Sequence, residues 1–229
     1  MELFSTSNPN FLVNFSFWFA TAVMLASTIF FLVERNDVSA KWKTSLTVAS
    51  LVTGIAFWHY LYMSSYFFDT GSSPLVLRYV DWLITVPLQI VEFYLILTAV
   101  TKVRTSLFWQ LLIASLVMLV FGFFGEANLM GRMSAFSIGM LGWFAVLYLI
   151  FFGEAAKVND LSGNSSGQFA FKALRLVVLV GWAIYPLGYY LNGPGNEPQL
   201  TNIVYNFADL VNKAAFGLVI WFAAKSDTK

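Results

Sequence analysis

Cysteine is absent and histidine occurs once, as His59. Disulfides and thiolate metal sites are therefore excluded, and no multi-histidine metal centre can be assembled. Charge is also scarce: 11% of residues are Asp, Glu, Lys or Arg, against about 25% in an average soluble domain. At a formal net charge of +1 there is no basic face to meet nucleic acid. The first ten residues lack a basic n-region, so no cleavable signal peptide is expected there. No nucleophile–base pair, phosphate-cradling loop or metal cluster is visible, which argues against a metabolic enzyme and for no bound metal.

What the chain does have is apolar length. Hydrophobic residues make up 59% and aromatic residues 18% of it. A membrane-spanning helix needs about 20 mostly apolar residues. Seven stretches qualify, at roughly 11–33, 44–66, 75–100, 105–125, 133–152, 171–191 and 200–223. The separators are polar or rich in turn formers: ERNDVSAKWK, FFDTGSSP, TKVR, GEANLMGR, GEAAKVNDLSGNSSGQ and NGPGNEPQ. Pro87 and Pro186 lie inside spans, which a membrane bundle tolerates. A soluble helical core would show polar stripes, and these segments are apolar nearly all round. The expectation is all-α: one seven-transmembrane-helix domain over 1–229, with DLSGNSSGQ as a loop and not a domain linker.

Lysine and arginine set the orientation. Arg35, Lys41, Lys43, Lys102, Arg104, Lys157, Lys172, Arg175, Lys225 and Lys229 fall on one side, and only Arg132 falls in the opposite loops. The N-terminus is thus expected outside and the C-terminus in the cytoplasm. Arg78 and Lys213 remain, and both lie within spans.

Ionisable groups inside a membrane are costly and usually mark function. In RYVDWLITVPLQIVE, Arg78, Asp81, Thr85 and Glu92 are spaced +3, +4 and +7 and share one helix face. Asp81 and Glu92, eleven residues apart, point within about 20° of each other with a rise of about 16 Å. One carboxylate lies toward the outside and one toward the cytoplasm, the geometry of a proton path with two stations. In the seventh span Asp209 and Lys213 stand at i and i+4. Alone, that pair could equally serve packing. A lone buried lysine also suits Schiff-base formation with an aldehyde, and the resulting cation would need counter-ions, for which Asp81 and Asp209 are the candidates. Glu92 has no evident cation partner on its face, Arg78 being fourteen residues away, and is expected to stay protonated in apolar surroundings.

RYVDWLITVPLQIVE, WAIYP at 182–186 and DLVNKAAFG at 209–217 together resemble the microbial rhodopsins, specifically the proteorhodopsins, across essentially the whole chain. The resemblance implies all-trans retinal on Lys213. It implies Asp81 as primary proton acceptor, Asp209 as second counter-ion, and Glu92 as cytoplasmic donor. Thr85 completes the Asp–Thr–Glu pattern of outward proton pumps; chloride pumps lack the carboxylate at 81, and sodium pumps use Asn–Asp–Gln. His59, at a depth matching Asp81, is expected to pair with it and tune its proton affinity; a histidine satisfied by a backbone carbonyl is the plainer alternative. Gln89 resembles the colour switch of the family, glutamine marking blue-absorbing members; a helix–helix hydrogen bond without spectral effect is its alternative. Trp82, Met118, Trp143, Trp182, Tyr185 and Pro186 fall where the family lines its retinal pocket, and Tyr205 is added to them. Glu126, which with Arg132 flanks the outer loop after the fourth span, resembles a residue associated with proton release; a solvated loop charge is its alternative. Gly142 and Trp143 lie where some relatives leave room for an antenna carotenoid.

The resemblance further implies a multi-pass protein of a bacterial inner membrane, embedded in lipid. A homo-oligomer, pentamer or hexamer, is expected, with Trp18 and His59 near the protomer interface. The leading function is a light-driven outward proton pump, blue-absorbing. The alternative is a sensory photoreceptor of the same fold signalling through a partner. A chromophore-free receptor is disfavoured by Lys213 and Asp209.

Overall fold

The computed structural model describes residues 5–191 and 198–228. In chain order the helices are α1 (Phe11–Glu34), α2 (Lys43–Thr70), α3 (Leu75–Val100), α4 (Thr105–Glu126), α5 (Arg132–Phe151), a short α6 (Glu154–Leu161), α7 (Ser165–Leu176), α8 (Ile184–Leu191), α9 (Pro198–Asp209) and α10 (Phe216–Thr228). Two π-helical segments complete the last two spans: Val177–Gly181 between α7 and α8, and Leu210–Ala215 between α9 and α10. Among the described residues the regular structure is helical throughout, and seven runs are long and apolar enough to cross a membrane.

The helices pack as a bundle in which α1 meets α2 and α9, α3 lies between α2 and α4, α4 meets α5, and α10 meets α7 and α2. Its polarity is inside out relative to a soluble bundle. Along α3, Arg78, Asp81, Thr85, Gln89 and Glu92 are all buried, while Val76, Val80 and Ile84 on the other side are exposed. Lipid solvates the apolar face at no cost, whereas the polar groups must find partners inside. Pro87 sits within α3 without interrupting it. Close backbone contact supplies much of the packing where no hydrophobic drive exists. At Gly142 an added Cβ would stand 2.7 Å from Met118 N and 2.8 Å from Ala114 O, so α5 lies directly on α4 there. That face of Gly142 is closed by α4.

The predicted spans agree with the helices to within a few residues on five of the seven, and differ around the fifth connection. GEAAKVNDLSGNSSGQ, expected as one irregular separator, contains α6 and the start of α7, so the sixth span begins at Ser165 and not near 171. Asn164 caps α7, its side chain accepting the Gly167 N–H at 2.7 Å, and Ala155, Ala156 and Asn159 bury one side of α6. A cap and a packed face outweigh the Ser/Gly composition. The seventh span extends to Thr228, well past the expected 223. ERNDVSAKWK forms two 3-10 turns, Arg35–Asp37 and Ala40–Trp42. The separator NGPGNEPQ falls almost wholly outside the described residues.

Candidate functional site

The π segment Leu210–Ala215 carries Lys213 into the centre of the bundle. A widened turn of this kind is characteristic of functional sites in long helices. Lys213 Nζ donates to Asp81 Oδ2 across the bundle and to Asp209 Oδ2 at 2.9 Å. Lys213 is 2% exposed, and both carboxylates are fully buried. With Arg78 the site holds two cations and two carboxylates, so the interior charge balances. Such a cluster is tolerable in low dielectric only when every charge has a counter-charge or donors.

The two aspartates are held differently. Asp209 accepts three donors: Lys213, the Tyr60 hydroxyl at 2.9 Å on Oδ2, and the Tyr185 hydroxyl at 2.5 Å on Oδ1. Asp81 accepts Lys213 on Oδ2, and its Oδ1 has no hydrogen-bond partner. His59 Nδ1 lies 3.5 Å from that Oδ1 and 2.9 Å from the Ile55 carbonyl. Both sequence readings of His59 are therefore partly realised: it faces Asp81, and its closer contact is the backbone. Thr85 does not touch the carboxylate; its hydroxyl donates to the Asp81 backbone carbonyl at 3.0 Å.

Arg78 was expected beside Asp81, and among the described residues it forms no ion pair with either aspartate. Its Nη2 donates to Asn202 at 2.8 Å and to Asn206 at 2.6 Å. Its guanidinium carbon lies 5.5 Å from the Phe17 ring centre and 5.6 Å from that of Tyr205. Glu92 lies further along α3, fully buried, with neither oxygen hydrogen-bonded and Ser45 of α2 facing it.

From Lys213 a cavity of about 200 Å³ opens between the helices. Trp82, Met118, Trp143, Trp182, Tyr185, Pro186 and Tyr205 all line it, as the sequence suggested, together with Gln89. Trp82 and Tyr185 meet edge to face with centroids 5.0 Å apart, and Trp143 is fixed by its indole N–H on the Val178 carbonyl at 3.2 Å. The cavity also reaches Arg78, Glu126 and Tyr189. Arg132 is engaged by Tyr189, donating to its backbone carbonyl and lying 4.9 Å over its ring. Asp81, Thr85 and Asp209 do not line the cavity but stand behind Lys213. Trp18, on α1, is 51% exposed on the outer surface of the bundle.

Gln89 makes the helix–helix hydrogen bond of its plainer reading, its side-chain amide donating to the Asn212 backbone carbonyl, and also stands at the cavity wall. Sequence reasoning missed Tyr60, Asn202, Asn206 and Asn212. For two of them a signal existed: Asn202, Asn206, Asp209 and Lys213 are spaced +4, +3 and +4, one polar face on the seventh span. Tyr60 gave none, being one of ten tyrosines.

An apolar, aromatic cavity that ends at a primary amine, with that amine clamped between carboxylates in the middle of a seven-helix bundle, defines a helical membrane protein built around a buried lysine. The chain belongs to the bacteriorhodopsin-like family, whose pattern matches residues 11–226. It is 53% identical over 220 residues to a blue-light absorbing proteorhodopsin of Gamma-proteobacterium Hot 75m4, covering 94% of this chain and 87% of that one. The crystal structure of a blue light-absorbing proteorhodopsin from Med12 is 55% identical, with a TM-score of 0.81 over 94% of this chain and 98% of that one. Xanthorhodopsin, described as a light-driven ion pump with dual chromophore, is 28% identical, with a TM-score of 0.83 over 96% of this chain and 94% of its own.

Proposed function

We propose that this protein is a light-driven outward proton pump that carries all-trans retinal on Lys213. The observation that carries the reading is Lys213 Nζ held between Asp81 and Asp209 at the end of the aromatic cavity, with Glu92 buried on the same face of α3. The fit to retinal is one of shape and chemistry: the cavity is apolar along its aromatic walls and terminates in the one amine able to bind an aldehyde covalently. Bound there, retinal supplies light absorption and a photoisomerisation that changes the direction and proton affinity at Nζ.

The residues supply the rest. Trp82, Trp182 and Tyr185, which line the cavity, would exclude water from the bound retinal and restrict its position. Asp81, whose Oδ1 is open, takes the proton from Nζ. Asp209, with three donors already on it, keeps its charge and stays the fixed counter-ion. Glu92, buried on the same face of α3 and without an ion-pair partner among the described residues, returns a proton to Nζ from the other side. The sequence of transfers moves one proton per cycle from the Glu92 side to the Asp81 side, general acid–base chemistry set along the membrane normal. With the lysine- and arginine-rich loops in the cytoplasm, that direction is outward.

Further parts of the reading rest on the same resemblance and the same exposed surfaces. Gln89, with a polar amide near the Lys213 end of the cavity, favours absorption in the blue. Arg78 sits between the aspartates and the Glu126 end of the cavity, in the direction of release. The protein is a single domain spanning a bacterial inner membrane, N-terminus outside, and assembles as a pentamer or hexamer with Trp18 and His59 near the protomer contact. The sensory alternative finds no specific support in this site, where a carboxylic donor is present.

The test is light-induced pH change in unbuffered cells or vesicles given all-trans retinal, with and without a protonophore, for the wild type and Glu92→Gln. External acidification that the protonophore abolishes, with a slowed cycle in Glu92→Gln, is expected. A coloured protein that moves no protons would leave only the sensory reading.

A further inference from the structure

Gln89 and Asp209 lie on different helices, yet a path joins them through Asn212 and Tyr185. Asn212 is buried and directly precedes Lys213. Its backbone carbonyl accepts the Gln89 side-chain amide. Its own side-chain amide donates at 3.0 Å to the Gly181 carbonyl and at 3.1 Å to the Tyr185 hydroxyl. That hydroxyl in turn donates to Asp209 Oδ1 at 2.5 Å, and Asp209 Oδ2 accepts Lys213 Nζ at 2.9 Å. The hydrogen-bond directions are consistent along the path, since the Tyr185 hydroxyl accepts from Asn212 and donates to Asp209.

Two features make this a built arrangement. Gly181 ends one π segment and Asn212 belongs to the other, so the Asn212 amide ties the two widened turns together. A side chain at 181 would displace this amide: a Cβ there would stand 2.0 Å from Asn212 Oδ1. Hydrogen bonds in a buried network polarise and constrain one another, so a change at one end is felt at the other.

We infer that Asn212 is a positioning residue that couples Gln89 to the Asp209 counter-ion: its side chain, anchored on Gly181 and Tyr185, holds the carbonyl on which Gln89 docks. The effect of Gln89 on absorption then passes in part through Asn212 and is not a private contact between Gln89 and the chromophore. This spectral consequence rests on the retinal reading; the hydrogen-bonded path itself does not.

The experiment has two arms. In the first, apoprotein labelled with ¹⁵N-glutamine is observed by solid-state NMR in lipid, and the Gln89 side-chain amide is assigned by its loss in Gln89→Leu. Asn212→Ala is expected to move that resonance. Gly181→Ala, which pushes the Asn212 amide aside without touching Gln89, is expected to move it likewise, and serves where Asn212→Ala folds poorly. In the second arm, with retinal added, the absorption shift caused by Gln89→Leu is measured in wild-type and Asn212→Ala backgrounds, and is expected to fall by at least half in the latter. An unmoved Gln89 resonance, or a Gln89→Leu shift of equal size in both backgrounds, overturns the inference. A wild type that stays colourless with retinal instead overturns the retinal reading, and the resonance then decides alone.

Discussion

Lys213 Nζ meets Asp209 Oδ2 at 2.9 Å, on the same oxygen that accepts the Tyr60 hydroxyl at 2.9 Å. Asp209 is thus tied to two helices besides its own, through Tyr60 of α2 and Tyr185 of α8. Asp81 faces the same amine with one oxygen left open. The pair is chemically alike and structurally unequal, and this inequality is what supports the proposal that one carboxylate holds charge and the other changes it.

The inequality has a stability consequence. In Asp209→Asn the lysine loses one ion partner, and Tyr60 or Tyr185 must give up a charged acceptor. Removing one partner from a buried ion pair costs about 3–5 kcal/mol, and the stranded hydroxyl adds to it. In Asp81→Asn the lysine likewise loses an ion partner and His59 a charged neighbour, but no tyrosine hydroxyl is stranded. The expected result is a lower thermal unfolding temperature for Asp209→Asn than for Asp81→Asn in the same detergent, while Asp81→Asn is the variant that stops proton transfer after a laser flash. Equal thermal losses would contradict the assignment.

His59 provides a second check. Its Nδ1 faces only acceptors, the Ile55 carbonyl at 2.9 Å and Asp81 Oδ1 at 3.5 Å. A bare nitrogen there would meet two oxygens with no proton between them, so the proton belongs on Nδ1. Solid-state ¹⁵N NMR of histidine-labelled protein at neutral pH is expected to show a protonated Nδ1. A spectrum with the proton on Nε2 alone would mean that His59 does not face Asp81 as described.

Most of this was legible in the chain before any coordinates, for a physical reason. In a membrane, hydrophobic length and charge placement carry nearly all of the fold information, because backbone groups force helices and every buried charge is conspicuous. Asp81, Glu92, Asp209 and Lys213 stand out against apolar surroundings, and the cavity residues followed from the resemblance. What stayed hidden depended on local backbone geometry. The π turns at Val177–Gly181 and Leu210–Ala215 leave no mark in periodicity, so the contacts they create, Gln89 to Asn212 and Asn212 to Gly181, could not be foreseen. Arg78 was placed beside Asp81 by its +3 spacing, but its long side chain reaches instead to Asn202 and Asn206. At the ends of spans, caps such as Asn164 outweighed composition.

Gly142 tests the packing of the cavity wall. Its Cα lies on the α4 backbone, with Met118 and Ala114 in the way of any side chain. Backbone cannot yield as a flexible side chain does, so Gly142→Leu must push α5 from α4. Overpacking of this kind costs roughly 1–3 kcal/mol. Because Met118 and Trp143 line the cavity from these two helices, retinal uptake by the apoprotein is expected to slow and thermal stability to fall. Uptake at the wild-type rate would show that the α4–α5 contact does not shape the cavity.

Asp227, in the last turn of α10, gathers the opposite end of the bundle. Its Oδ2 accepts the Trp42 indole N–H at 2.7 Å and pairs with Lys41 at 2.5 Å. Its Oδ1 accepts the Asn164 side-chain amide at 2.7 Å, and Asn164 is itself the cap of α7. One carboxylate therefore joins α10 to the turn before α2 and to the start of α7. Lys41 is 41% exposed, and an exposed ion pair contributes little. Trp42 is fully buried, so Asp227→Ala leaves an indole N–H without its acceptor, at a cost of about 1–3 kcal/mol. Asp227→Asn keeps an acceptor oxygen and is expected to lose less. Hydrogen–deuterium exchange is expected to quicken at residues 164–168 in Asp227→Ala while the absorption maximum stays unchanged, since the cavity lies elsewhere. Unchanged exchange at the α7 cap would mean that the carboxylate is a surface contact and not the tie between these three elements.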